Sequence, residues 1–334
     1  MHPAADRASL APSLTPHQDA DFHSRHVGPL LQSRSKSFCT ALERIERFAR
    51  FDQATVLIVG ESGTGKTFFA EYLHSKSPRA GRVFHRVTLS AIADSLAPSD
   101  LFGHVQGAFT DARAKRAGHF VSANGGTLFL DEIAKASDVV QHKLLDAVER
   151  HEIAPVGADR GVRVDVRIVA ASNVCLQALV DEGRFLPDLF ARLDGFVVRI
   201  PPLRDRREDI PALVEYCVQL HAKDFGYATP PTVNAELMHA LGRAPWPNNV
   251  RQLDVTVRRL LAESDAAPVL TPAHCVDTLE YLAPVVKPPR PDVEVVRAAF
   301  KAEGKVSAVA RKFGVSRTTI YRYLDEGASD LPLE

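Results

Sequence analysis

The stretch TVLIVGESGTGKT, Thr55 to Thr67, decides the fold. Its first half is a short run of β-branched and apolar residues, the composition of a buried strand. The run passes directly into Gly60, Glu61, Ser62, Gly63, Thr64, Gly65, Lys66 and Thr67, which has the complete spacing of a phosphate-binding loop. TFFAEYLHSK (67–76) then reads as a helix. Glycines let backbone N–H groups curl round phosphates, and the helix N-terminus adds positive potential. In this pattern Lys66 reaches the β- and γ-phosphates of ATP, and the Thr67 hydroxyl binds magnesium.

Two carboxylates complete the pattern downstream. GTLFLDE (126–132) is an apolar strand ending in Asp131 and Glu132. Asp131 is placed to hold magnesium and Glu132 to polarise an attacking water. A further strand, VRIVAAS (166–172), runs into Asn173, which stands where a polar group senses a γ-phosphate. Taken alone, an Asn after a strand is usually a turn residue.

Helical stretches such as SDVVQHKLLDAVERH (137–151) alternate with these strands, which predicts a parallel sheet with helices on both faces. An earlier helix, residues 37–52, places Phe38, Leu42, Ile45 and Phe48 on one face. After PPLRDRREDIP (201–211) the strands stop and helices dominate to about Leu282. APVVKPPRPD (283–292) holds four prolines in ten residues and reads as a stiff linker. The expected organisation is a disordered leader (1–26), an α/β ATPase subdomain (27–205), a helical subdomain (206–282), a Pro-rich linker (283–290), a helix-turn-helix domain (291–324) and a tail (325–334).

The 334 residues carry 41 Lys plus Arg against 41 Asp plus Glu, so no global basic field points to nucleic acid. The charge is segregated, however: residues 287–324 hold nine Lys or Arg and three Asp or Glu, a local net of +6. Three helices are expected there. Val293, Val296 and Phe300 form one apolar face, and Val306, Val309, Ala310 and Phe313 the next. Gly314 makes the turn, and Ser316 caps a recognition helix that presents Arg317, Thr318, Thr319, Tyr321 and Arg322 to DNA. The four cysteines have neither metal-ligand nor redox spacing, and no apolar run is long enough to span a bilayer. A reduced, cytoplasmic setting without membrane contact is expected.

GESGTGKT, LFGHVQGAFTDA (101–112), GGTLFLDEI (125–133), the 201–211 segment and WPNNVRQL (246–253) occur in an order that resembles the sigma-54-dependent transcriptional activators, bacterial enhancer-binding proteins within the AAA+ ATPases. The resemblance covers about residues 27–282, and the C-terminal part resembles the Fis-type helix-turn-helix of the same family. It implies an AAA+ fold, ATP and Mg2+ as cofactors, and a ring, usually a hexamer, of this chain or of this chain with a homologous subunit. It further implies binding to enhancer DNA and remodelling of the closed sigma-54 RNA polymerase complex into the open one. The segment Gly107, Ala108, Phe109, Thr110, Asp111 matches the loop that touches sigma-54, with Phe109 and Thr110 at its tip. Arg251 matches an arginine that senses the γ-phosphate. Arg192 matches one of two arginines reaching a neighbouring subunit's ATP.

The chain also departs from the family pattern. Asp111 replaces a glycine, Val105 and Gln106 replace a Glu-Lys pair, Leu186 stands where the other arginine is found, and Thr88 occupies the place of an asparagine that restrains the catalytic glutamate. Thr67 replaces a frequent Glu and favours magnesium binding. No receiver domain is expected before the ATPase. The departures leave an alternative open: a DNA-binding regulator with weakened or lost ATPase or sigma-54 coupling, acting as a repressor or in a mixed ring.

Overall fold

The computed structural model describes residues 33–108, 114–274, 278, 293–303, 306 and 308–309. The expected leader, the loop tip Phe109–Asp111 and the residues expected to read DNA, Ser316, Arg317, Thr318, Thr319, Tyr321 and Arg322, lie outside the described residues. The chain divides into two compact units, Met1–Leu282 and Ala283–Glu334.

In chain order the first unit contains α1 (Lys36–Ala49), β1 (Val56–Val59), α2 (Lys66–Ser75), β2 (Phe84–Thr88), α3 (Ala97–Phe102), α4 (His119–Ser122) and β3 (Thr127–Asp131). There follow α5 (Asp138–Arg150), the short β4 (Glu152–Ile153) and β5 (Val162–Arg163), β6 (Arg167–Ser172), α6 (Leu176–Asp181), α7 (Pro187–Leu193) and β7 (Val197–Arg199). A helical lid completes it: α8 (Ile210–His221), β8 (Thr232–Val233), α9 (Ala235–Arg243), α10 (Asn249–Glu263) and β9 (Val269–Leu270). In the second unit α11 (Val293–Glu303) buries Val296 and Ala299, and Val309 beyond it is also buried.

The main sheet has the order β2-β3-β6-β1-β7, all parallel. Its central strands are apolar on both sides, as a sheet covered by helices on both faces requires. Side-chain alternation sends Leu57, Leu128, Leu130, Ile168 and Ala170 to one core with α3 to α7, and Ile58, Phe129, Val169, Ala171 and Val198 to the other with α1 and α2. Phe38 and Phe69 meet edge to face at 5.2 Å on the second side. Arg167, fully buried, donates from Nη1 to the Ala49 carbonyl at 3.1 Å and from Nη2 to the Phe48 carbonyl at 2.7 Å, satisfying the last carbonyls of α1. Burial lowers its guanidinium pKa to about 10.

Two differences from the sequence reading stand out. Strands do not stop at residue 211: β8 and β9 pair in parallel inside the lid. The sheet also gains β2 and β7, which sequence pattern alone does not single out. Among the described residues no helix is long and apolar enough to cross a membrane.

Candidate functional site

The loop after β1 ends at Gly65, whose φ of +104° turns the chain into α2. No side chain caps α2, so its first N–H groups face outward for a ligand. Lys66 lies along the loop and donates from Nζ to the carbonyls of Gly60 at 2.8 Å and Glu61 at 2.9 Å. Burial pulls its pKa down, and the Asp131 carboxylate opposes that shift.

The lid grips this loop from the other side. The Val250 amide donates to the Gly63 carbonyl at 3.0 Å. A Cβ on Gly63 would sit 2.2 Å from the Asn248 carbonyl oxygen, so only glycine allows the approach. Asn249 is fully buried with φ +53°. Its Nδ2 donates to the Ser62 carbonyl at 2.9 Å and to Glu61 Oε2 at 3.2 Å, and its Oδ1 accepts from the Leu203 amide at 2.7 Å. Arg204 makes a bidentate pair with Glu61 at 2.6 and 2.8 Å. That pair, with the Asn249 bond, holds the Glu61 carboxyl at about 2. Arg206 is buried beneath the loop, donating from Nη2 to the Thr64 carbonyl at 3.1 Å with its guanidinium 4.3 Å from the centroid of the Phe38 ring. Arg251 donates from Nη1 to Ser62 Oγ at 2.9 Å.

Asp131 closes β3 and is nearly buried. Its Oδ1 accepts the Glu132 amide at 3.0 Å, and its Oδ2 pairs with Arg86 Nη2 at 3.0 Å. Glu132 adopts the left-handed region, φ +57° and ψ +47°, a conformation that costs a non-glycine residue energy and is concentrated at functional sites. Thr88 lies opposite Asp131 in the β2–β3 register, but no hydrogen bond joins Thr88 to Glu132 among the described residues.

These groups converge on a cavity of about 410 Å³. Ser62, Gly63, Gly65, Lys66 and Thr67 form one wall with Asp131, Glu132 and Asn173, while Tyr216, Cys217 and Arg251 of the lid form the other. Gly60, Glu61 and Thr64 do not line the cavity, and the Thr64 hydroxyl donates to the Glu61 carbonyl at 2.8 Å. Burial pushes the Cys217 thiol up to about 12, which leaves it neutral and unreactive. Uncapped helix N–H groups, an ammonium, a threonine hydroxyl and two carboxylates form a donor set suited to a nucleoside triphosphate with a divalent cation.

The remaining predicted residues divide. Gly107 has φ +81°, and Ala108 packs against the turn at Gly157. Both lie above a neck in which His104 and Arg116 exchange backbone hydrogen bonds at 3.1 Å. Trp246 is fully buried in the lid and donates from Nε1 to the Leu241 carbonyl, whereas the neighbouring Pro247 is exposed. Arg192 does not line the cavity: its Nε pairs with Glu149 at 2.7 Å on the exposed side of α7. Leu186 packs against the core, and its amide donates to the buried Gln141 at 2.7 Å. Arg184 pairs with Glu182 at 2.9 Å.

Sequence reasoning passed over Asn249, Arg204, Arg206 and Arg86. The first three lie within PPLRDRREDIP (201–211) and WPNNVRQL (246–253), but only the folded chain reveals that they meet the loop. Arg86 carries one usable signal: it lies two residues before Thr88, hence on the same face of β2.

Comparison with known proteins agrees with this geometry. Residues 31–199 match the sigma-54 interaction domain, residues 204–287 the AAA+ ATPase lid domain, and residues 303–327 the helix-turn-helix domain of resolvase. The Nif-specific regulatory protein of Azotobacter vinelandii is 39% identical over 272 residues, covering 81% of this chain and 52% of that protein. The DNA-binding transcriptional regulator NtrC of Escherichia coli (strain K12) is 46% identical over 221 residues, covering 65% and 46%. The chain thus spans about half the length of these curated relatives. The crystal structure of NtrX from Brucella abortus in complex with ATP superposes with a TM-score of 0.68 at 29% identity, covering 88% of this chain and 68% of that one. The chain belongs to the sigma-54 interaction domain family, with the AAA+ P-loop NTPase fold, a helical lid and a C-terminal helix-turn-helix region.

Proposed function

We propose that this chain is an ATP-dependent transcriptional activator that binds enhancer DNA and remodels the sigma-54 RNA polymerase closed complex in the cytoplasm. The observation that carries the reading is the convergence of loop, carboxylates and lid arginine on one cavity. The backbone of Gly63 to Thr67 and the Lys66 ammonium would hold the triphosphate. Thr67 and Asp131 would ligate Mg2+, and Glu132 would orient the attacking water. Asn173 and Arg251 stand to read the terminal phosphate, Arg251 from the lid. MgATP supplies the phosphoryl group whose transfer to water drives the cycle. Family membership and the regulators named above support transcription as the setting. Gly107 to Asp111, with Phe109 and Thr110 foremost, would touch sigma-54, while Ser316, Arg317, Thr318, Thr319, Tyr321 and Arg322 would read DNA. Arg192 would leave Glu149 and reach the ATP of the next subunit in a ring, probed by hydrolysis that rises with protein concentration.

One set of contacts favours a second reading, a regulator with a weakened motor. Leu186 is engaged in packing, and the two nearby arginines are each occupied by a carboxylate of the same chain. Nucleotide binding and phosphate release, measured on Lys66→Ala and Glu132→Gln, separate the readings. For the activator, Lys66→Ala abolishes binding, and Glu132→Gln retains it while turnover falls by about 10²-fold or more. Tight binding by the wild type without turnover at any protein concentration supports the weakened motor. No nucleotide binding by the wild type contradicts both.

A further inference from the structure

Strand β2 brings into the cavity a cation that the phosphate-loop pattern does not include. Arg86 pairs in register with Phe129, and Thr88 with Asp131, so the Arg86 side chain runs diagonally up the sheet to reach the carboxylate at the end of β3. Its Nη2 lies 3.0 Å from Asp131 Oδ2, with the Arg86 side chain 47% exposed and that of Asp131 12% exposed. Among the described residues the Arg86 side chain makes no other hydrogen bond. The other Asp131 oxygen is taken by the Glu132 amide. Both oxygens of the residue best placed for a divalent cation therefore already have partners, one of them a full positive charge.

We propose that Arg86 is a built-in counter-ion of the nucleotide site: it holds Asp131 when no divalent cation is bound, and so sets how strongly nucleotide binding depends on that cation. The inference rests on the reading of this cavity as an ATP and magnesium site. A nearly buried carboxylate without a partner is costly, and a second carboxylate, Glu132, stands beside it. The cavity lining holds four basic and four acidic side chains. Arg86 keeps that balance even; without it a triphosphate arriving alone meets a net negative wall. A divalent cation at Asp131 makes the same compensation, so cation and Arg86 are alternative partners for one oxygen. Arg86 acts through Asp131, as a positioning residue, and releases it to the metal.

The test is fluorescence titration of the full chain with N-methylanthraniloyl-ATP, in excess EDTA and in millimolar magnesium, for wild type, Arg86→Ala and Arg86→Lys. Wild type is expected to bind in both conditions. Arg86→Ala is expected to lose about tenfold or more in affinity in EDTA and less than about threefold in magnesium, and to need less magnesium for half of the metal-dependent gain. Arg86→Lys restores binding in EDTA. Equal weakening in both conditions, no weakening in EDTA, or a wild type that binds only with magnesium overturns the inference. A wild type that binds in neither condition overturns the nucleotide reading itself.

Discussion

Asn249 shows how one side chain ties three segments together: the phosphate loop, the residue that opens the lid, and the start of α10. Its partner Glu61 is 188 positions away in sequence, and no local spacing could reveal the contact. The same cluster gives a pH-dependent expectation. The Glu61 carboxyl lies at about 2 in the folded chain against 4.5 for the free group, chiefly through Arg204. A depressed carboxyl pKa means stability that is present above pH 4.5 and lost as pH falls through 4.5 towards 2. Both partners are 41% exposed, so the gain is small, under about 1 kcal/mol. Urea denaturation should show Glu61→Gln slightly less stable than wild type at pH 7, with the gap closing below pH 4.5. A gap that persists unchanged at low pH would mean that the pair does not hold the lid to the loop. Lys66, Thr67, Asp131 and Glu132, by contrast, were legible because phosphate loops and strand-end carboxylates are local patterns. Arg86 was not, since its role depends on strand register.

At the scale of elements, the alternation of strands and helices was readable where strands are continuous apolar runs, as in β1, β3 and β6. β2 escaped because FHRVT places a histidine and an arginine in its middle, and β7 because three residues carry no periodicity. The two-residue β8 and β9 are likewise too short for pattern to find. On the proposed function, the element that would carry coupling is the neck between α3 and α4. A Cβ on Gly118 would lie 2.3 Å from the Gly103 nitrogen and 2.4 Å from the Leu101 carbonyl oxygen. Those are backbone atoms, which cannot turn aside as a flexible side chain does. Gly118→Ala should therefore force the two strands of the neck apart and cost about 1–3 kcal/mol in chemical denaturation. An alanine variant as stable as wild type would show that the neck is looser than these distances require.

For the whole molecule, charge is distributed by task. The chain as a whole is neutral, while residues 287–324 carry a net +6, where phosphate contacts would supply affinity for DNA. In the first unit the lid and the sheet line the cavity from opposite sides, and Gly63 and Asn249 join the lid to the phosphate loop, so a nucleotide bound there would touch both. The most direct test of the central claim, that nucleotide turnover in this cavity drives polymerase remodelling, is open-complex formation at a sigma-54 promoter on supercoiled DNA, scored by heparin resistance. Wild type with ATP should give heparin-resistant complexes, whereas Lys66→Ala and Phe109→Ala, each shown to be folded, should give none. Complexes formed as readily by Phe109→Ala as by wild type, or a wild type that hydrolyses ATP yet opens no promoter, would contradict it.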